Sequence, residues 1–194
     1  MCPKCGHPLR GPPDLAFTCI PCRRKRLYFR CARSAGIYDG ALREAIHALK
    51  FDGRRALAKP LGLLMADAAI DDPRFREVEA VIPVPLHPQR LKERGFNQSE
   101  LLANAVAQAL NRPVAALLRR IRPTAAQSGL SEADRRKNVR DAFAATGRLD
   151  GVVALLVDDV LSTGSTTSAC ARELTRAGAE EVLVLTAAVA AWKW

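Results

Sequence analysis

The stretch Val152–Gly178, VVALLVDDVLSTGSTTSACARELTRAG, decides the fold. Its opening run, Val152 to Val157, is continuously apolar with valines at both ends, and predicts a strand buried on both faces, as in parallel sheets. Asp158 and Asp159 follow, at the expected carboxyl end of that strand. Ser162, Thr163, Gly164, Ser165 and Thr166 then form a loop of small and hydroxyl residues. The loop opens into a helical pattern with Cys170, Leu174 and Ala177 on one face, and Gly178 stops it.

Strand, acids, glycine loop and helix, in that order, describe a phosphate site beside a sugar clamp. Gly164 lets the backbone turn without a Cβ penalty, and the first N–H groups of a helix have no intrahelical partner, so they suit an anion. Ionised carboxylates only accept hydrogen bonds, so an Asp pair suits the hydroxyls of a ribose and repels a second phosphate. A phosphorylated ribose fits both halves. The stretch lacks the lysine of a nucleotide P-loop and the three spaced glycines of a dinucleotide fold. A receiver domain places its acids near its start, whereas only about 35 residues remain here.

Leu155–Thr167, LLVDDVLSTGSTT, resembles the phosphoribosyl pyrophosphate (PRPP) signature of type I phosphoribosyltransferases. The resemblance implies that Asp158 and Asp159 bind the ribose hydroxyls and that Ser162, Thr163, Gly164, Ser165, Thr166 and Thr167 hold the 5′-phosphate. It also implies that Mg2+ accompanies the pyrophosphate. Over its whole length the chain resembles the ComF competence-protein family. The fold expected is therefore α/β, a type I phosphoribosyltransferase-like parallel sheet flanked by helices, over residues 31–194, behind a small zinc-ribbon module over residues 1–30.

Cys2-Pro-Lys-Cys5 and Cys19-Ile-Pro-Cys22 stand thirteen residues apart. Two such knuckles read as a closed tetrahedral zinc site, with redox dithiols or a decayed site as the alternatives. Cys31 and His7 lie outside the paired spacing, and Cys170 reads as a small buried hydrophobe. Thirty basic against twenty acidic residues give a net charge of +10. Four thiolates on one zinc would leave about +8. Such a surface favours polyphosphates and nucleic acid alike. Arg23, Arg24, Lys25, Arg26 and Arg30 close the module and read as a nucleic-acid contact or a solvated linker. No apolar run of about 18 residues and no basic-then-apolar leader is seen, so neither a membrane span nor a signal peptide is expected, and the location expected is cytoplasmic.

Downstream, helices are expected near Gly40–Lys50, with Leu42, Ile46 and Leu49 inward, and near Ala56–Ile70. His47 reads as structural. A strand over Val78–Val84 ends in a proline-rich turn, then a loop with Arg90, Lys92, Arg94 and Gly95, where a pyrophosphate could be held. Asn97 and Glu100 signal a helix start near Gln98. The run VIPVPLHPQRLKERGFNQSELLA is similar to a block of the family, and its place in the fold implicates Arg90 and Arg94 in pyrophosphate binding; His87 is either a base or a turn residue. A short strand is expected at Val114–Leu118 and a long basic loop at Arg119–Asn138. Gln127, Leu130, Arg135, Asn138 and Phe143 match the family's spacing, and the loop takes the place of a hood that closes over PRPP, bringing Arg122 and Arg135 onto the pyrophosphate. A last strand runs Glu180–Ala190, and Trp192 and Trp194 read as packing or fraying rather than base stacking. The resemblance leaves three functions in play: transfer of phosphoribose to an unidentified nucleophile, non-catalytic PRPP sensing, or handling of single-stranded DNA with a competence helicase.

Overall fold

The computed structural model describes residues 1–9, 17–124 and 131–190, the side chains of Glu132 and Arg136 excepted. Gln127, Leu130, Trp192 and Trp194 lie outside them. In chain order the elements are α1 (Ile20–Arg24), β1 (Ala32–Ile37), α2 (Gly40–Phe51), α3 (Ala58–Ile70), β2 (Ala80–Pro83), α4 (Pro88–Arg94) and α5 (Gln98–Leu110). There follow β3 (Leu118–Arg120), α6 (Glu132–Val139), β4 (Phe143–Ala145), β5 (Val153–Leu161), α7 (Ser165–Arg176) and β6 (Glu181–Val189).

The main sheet has the order β1-β6-β5-β2, every pair parallel. Its central strands are buried on both faces, as the apolar runs require. Ala154 and Leu156 of β5 face a core with Cys170 and Leu174 of α7, while Leu155 and Val157 face a core with Leu49, Met65 and Leu102 of α2, α3 and α5. The α/β class and the helix-flanked parallel sheet are thus what the chain forms.

Several expectations are corrected in detail. β5 does not stop before the acids: it runs through Asp158 and Asp159 to Leu161, because β6 keeps pairing with it, up to Leu161 opposite Val189. The basic stretch after β2 is not a loop but the short helix α4, started by Pro88, whose missing N–H costs nothing at a first turn, and ended by Gly95 at φ 78°. The Val114–Leu118 strand reduces to one bridge, Val114 to Val81, and the chain pairs instead at β3 with β4, antiparallel. The long loop after Leu118 consequently contains the rest of β3 and α6, which Ser131 caps by accepting from the Asp134 amide.

α5 begins where the Asn97 side chain accepts from the Ser99 amide, as its capping signature predicts. It packs on α3 at Gly62, where a Cβ would stand 2.4 Å from the Ala105 Cβ. Gly62→Ala would gain up to about 1 kcal/mol of helix propensity. It must also push the two helices apart, so a net loss of roughly 1–2 kcal/mol is expected. Urea melts of the variant against wild type check this.

Candidate functional site: an acid pair, a phosphate loop and a cysteine centre

β2 ends at Pro83, opposite Val157, and the last bond along that edge runs from the Val84 amide to the Val157 carbonyl at 2.9 Å. The acids therefore lie one step beyond the neighbouring strand, where the start of α5 takes its place. Ser99 Oγ donates to Asp158 Oδ1 at 2.8 Å, and Gln98 Nε2 donates to Asp159 Oδ2 at 2.9 Å. Lys50, from the last turn of α2, sets its ammonium 2.8 Å from the same Asp159 oxygen. Asp158 and Asp159 are only 9% and 5% exposed, so they sit at the floor of the site with their donors in place. Burial, and then the neighbouring Asp159, push the Asp158 carboxyl up to about 7. At Lys50, burial works against the charge, but the Asp159 carboxylate and Asp158 outweigh it and the pKa rises.

Lys50, Gln98 and Ser99 are site residues that sequence reading passed over. Gln98 and Ser99 stand beside the Asn97 cap signal, but Lys50 is about a hundred positions from the acids. Of the two expected pyrophosphate residues, Arg94 is half-buried, donates to Gln98 Oε1 and lies 5.5 Å over the Phe51 ring. Burial lowers its pKa, with Asp159 opposing. Arg90 is exposed on α4. His87 caps α4, its Nδ1 accepting from the Gln89 amide at 3.3 Å, which is the turn role. His47 stacks on Phe51, ring centres 4.6 Å apart.

In the glycine loop, Gly164 takes φ 75°, the left-handed turn expected of it, and α7 starts immediately after. Thr163 and Ser165 hydroxyls lie 2.8 Å apart, and Thr167 Oγ1 donates to the Gly164 carbonyl at 3.2 Å. Ser162, Thr163 and Thr166 are half-buried. Leu27 and Phe29 approach the place where a Cβ on Gly164 would sit, and the Tyr28 amide donates to Ser168 Oγ at 3.2 Å. The segment after the cysteines thus braces the Gly164 loop. A cleft of about 510 Å³ opens between that segment, α6 and the start of α7, with Thr163 and Ser165 in its wall. Lys25, Arg26, Lys137, Arg140 and Arg172 also line it, and among the described residues no carboxylate does. Arg172 is committed to Asp141, at 2.7 Å, and to Glu173.

The hood residues divide. Arg122 donates to the Asn138 and Arg140 carbonyls, at 3.1 and 2.6 Å, and so pins the end of α6. Arg135 has its Nε buried without an acceptor among the described residues, and so has Arg120, which lies 5.3 Å over Phe143. Burial lowers the Arg120 pKa, opposed by Cys170 and Asp158.

The Sγ atoms of Cys2, Cys5, Cys19 and Cys22 all lie within 4.8 Å of one another, and those of Cys5 and Cys19 are 3.7 Å apart. Tetrahedral thiolates at about 2.3 Å from one ion would be about 3.8 Å apart. These four cysteines can hold a metal ion. Without one they cannot all ionise: the hydrogen bond from Cys22 holds Cys5 down to about 3, the same contact pushes Cys22 up, and burial pushes Cys19 up to about 11. Cys31 lies in the opposite core, and neither it nor His7 joins the cluster.

A carboxyl whose folded pKa is raised stabilises the fold fully below its unfolded value and loses that contribution as pH rises through the folded value. For Asp158 the window runs from about pH 4 to about pH 7. Asp158→Asn, which keeps the acceptor for Ser99, should flatten this fall. At pH 8 it should exceed wild type in stability by up to roughly 4 kcal/mol, measured by urea melts across the window.

No family model matches the chain. It is similar to the DNA utilization protein YhgH of Salmonella typhimurium, 33% identical over 188 residues, covering 95% of this chain and 82% of that one. The competence protein F of Haemophilus influenzae is 32% identical over 94% of this chain and 82% of its own length. The competence protein ComFC of Bacillus subtilis is 28% identical over 92% and 72%. Among solved structures, a glutamine PRPP amidotransferase from B. subtilis complexed with ADP and GMP aligns at TM-score 0.45 and 25% identity, over 66% of this chain and 26% of that one. A purine phosphoribosyltransferase from Pyrococcus horikoshii aligns at TM-score 0.38 and 16% identity, over 66% and 69%. With relatives a third identical along nearly its whole length, the chain belongs to the ComF family, that of competence protein F and DNA utilization protein YhgH.

Proposed function

We propose that the chain binds PRPP, or another phosphorylated ribose, at the end of β5, and transfers phosphoribose to a nucleophile with release of pyrophosphate. The observation that carries this reading is the junction itself: an acid pair followed by a left-handed glycine and a helix start, with Arg94 of α4 near Asp159 and Arg120 of β3 near Asp158. In this reading Ser162, Thr163, Gly164, Ser165, Thr166 and Thr167 hold the 5′-phosphate. Asp158 and Asp159 take the 2′- and 3′-hydroxyls, exchanging donors such as Gln98 and Ser99 for those of the sugar. Arg90, Arg94, Arg122 and Arg135 draw charge from the pyrophosphate, and Mg2+ arrives as part of the substrate.

The C1–O bond breaks with its electron pair leaving on pyrophosphate, the nucleophile's lone pair closes on C1, and its proton is released. The ring is oxocarbenium-like between these events, so the protein's part is to position the partners and stabilise the leaving charge. The sheet domain over residues 31–194 does this work. The module over residues 1–30 holds Zn2+ structurally and braces the phosphate loop through Leu27, Tyr28 and Phe29.

Two observations keep other readings in view. The buried acids, already satisfied, would serve a sensor that binds without turnover. The acid-free cleft, and relatives named for DNA utilization and competence, favour a partner such as single-stranded DNA handled with a competence helicase.

Calorimetry with Mg·PRPP should show at least about tenfold weaker binding for Asp158→Asn/Asp159→Asn than for wild type; equal affinity would remove the acids from the ribose role. Pyrophosphate release over a panel of bases and amines separates enzyme from sensor. Single-strand DNA affinity that falls steeply with salt would favour the nucleic-acid reading, and a flat response would count against phosphate contacts. Purified chain should carry one zinc, lost in Cys5→Ser/Cys22→Ser by elemental analysis together with protection of residues 25–29 in hydrogen exchange.

A further inference from the structure

Asp158 and Asp159 are adjacent carboxylates, both more than nine-tenths buried, and a polyanionic ligand brought to them needs positive charge close by. The resemblance read from the sequence implies that Mg2+ comes with the pyrophosphate, next to this edge of the sugar. At Asp159 that place is already taken. Its Oδ2 holds the Lys50 ammonium at 2.8 Å and the Gln98 amide at 2.9 Å, with the lysine side chain 20% exposed and the aspartate side chain 6%. A divalent ion on that oxygen would stand against a fixed positive charge in a poorly solvated spot, where like charges repel most. A metal does not fit there.

Lys50 is held in position from several sides. It closes α2, where the helix end favours a cation. The next residue, Phe51, lies under Arg94, and Arg94 donates to Gln98, which donates to Asp159. The end of α2, the α4 cation and the start of α5 thus converge on one carboxylate. An ammonium has three donors, so one can hold Asp159 while the others serve a hydroxyl or phosphoryl oxygen, which a bidentate arginine in the same place would do less freely.

We propose that Lys50 supplies the positive charge at the ribose-hydroxyl edge, so that the phosphorylated sugar binds without a divalent cation and a metal enters only on the pyrophosphate of a donor substrate. This rests on the phosphoribose reading above. Lys50 is here a binding residue, anchored on Asp159.

The test is calorimetry of ribose 5-phosphate with the full, zinc-loaded chain, in buffer with millimolar magnesium and in buffer depleted of it by resin, so that the cysteine site is not stripped. Wild-type affinity should be the same in both within about twofold. Lys50→Met should bind at least about tenfold more weakly without magnesium and recover when it is added, while Lys50→Arg stays within a few-fold of wild type. Wild-type binding that requires magnesium, or a Met variant that matches wild type without it, overturns the inference. If Lys50→Met fails to fold, the two wild-type titrations decide alone. A wild type that binds neither ribose 5-phosphate nor PRPP in either buffer brings down the phosphoribose reading and this inference together, whereas magnesium-dependent binding brings down only the role of Lys50.

Discussion

The site depends on a mismatch in strand length. β5 runs nine residues and β2 only four, so β5 continues past Pro83 with, among the described residues, no strand beside it on that edge. Prolines at 83, 85 and 88 turn the chain away, since they cannot donate to a continuing ladder. An apolar strand in that position would need another apolar element to cover it. Here two aspartates occupy it, and a buried carboxylate must find donors. The first turn of α5 and the tip of α2 provide them. Two polar residues are thereby set into β5, whose other members, like those of β2, are all apolar.

The acid pair is held at a cost. Burying Asp158 beside Asp159 raises its pKa into the neutral range, a loss of stability that an ordinary asparagine would avoid. Residues that keep such a penalty mark places where function outweighs stability. The surrounding cations belong to the same balance: Lys50 neutralises one acid, while Arg120 and Arg135 each keep a buried Nε–H with no acceptor among the described residues.

The cysteine centre is tied to the same place. Cys2, Cys5 and Cys19 share a core with Phe29 and Leu161, and Leu27 and Phe29 rest against Gly164. A metal that fixes these knuckles therefore also fixes the wall of the Gly164 loop. The division of the chain into a module and a sheet domain is one of sequence more than of packing.

Sequence by itself determined whatever depends on near neighbours. Continuous apolar runs required a doubly buried parallel sheet, the C-x-x-C pairs named the four clustered ligands, Asn97 marked a helix start, and Gly164 marked the left-handed turn. Each is a local rule of spacing or backbone sterics. It could not say where β5 ends, because Asp158 and Asp159 look like a stop until β6 is seen pairing beyond them. Nor could it show that Pro88–Arg94 coils into a helix, or that Arg122 turns one guanidinium nitrogen to the backbone at the end of α6. Lys50 and Gln98 were equally hidden, since nothing within a helical turn of either one points to Asp159. Only the tertiary structure decides which donors reach a buried carboxylate, because desolvation penalises every unpaired group and the chain satisfies it with whatever segment packing brings within about 3 Å.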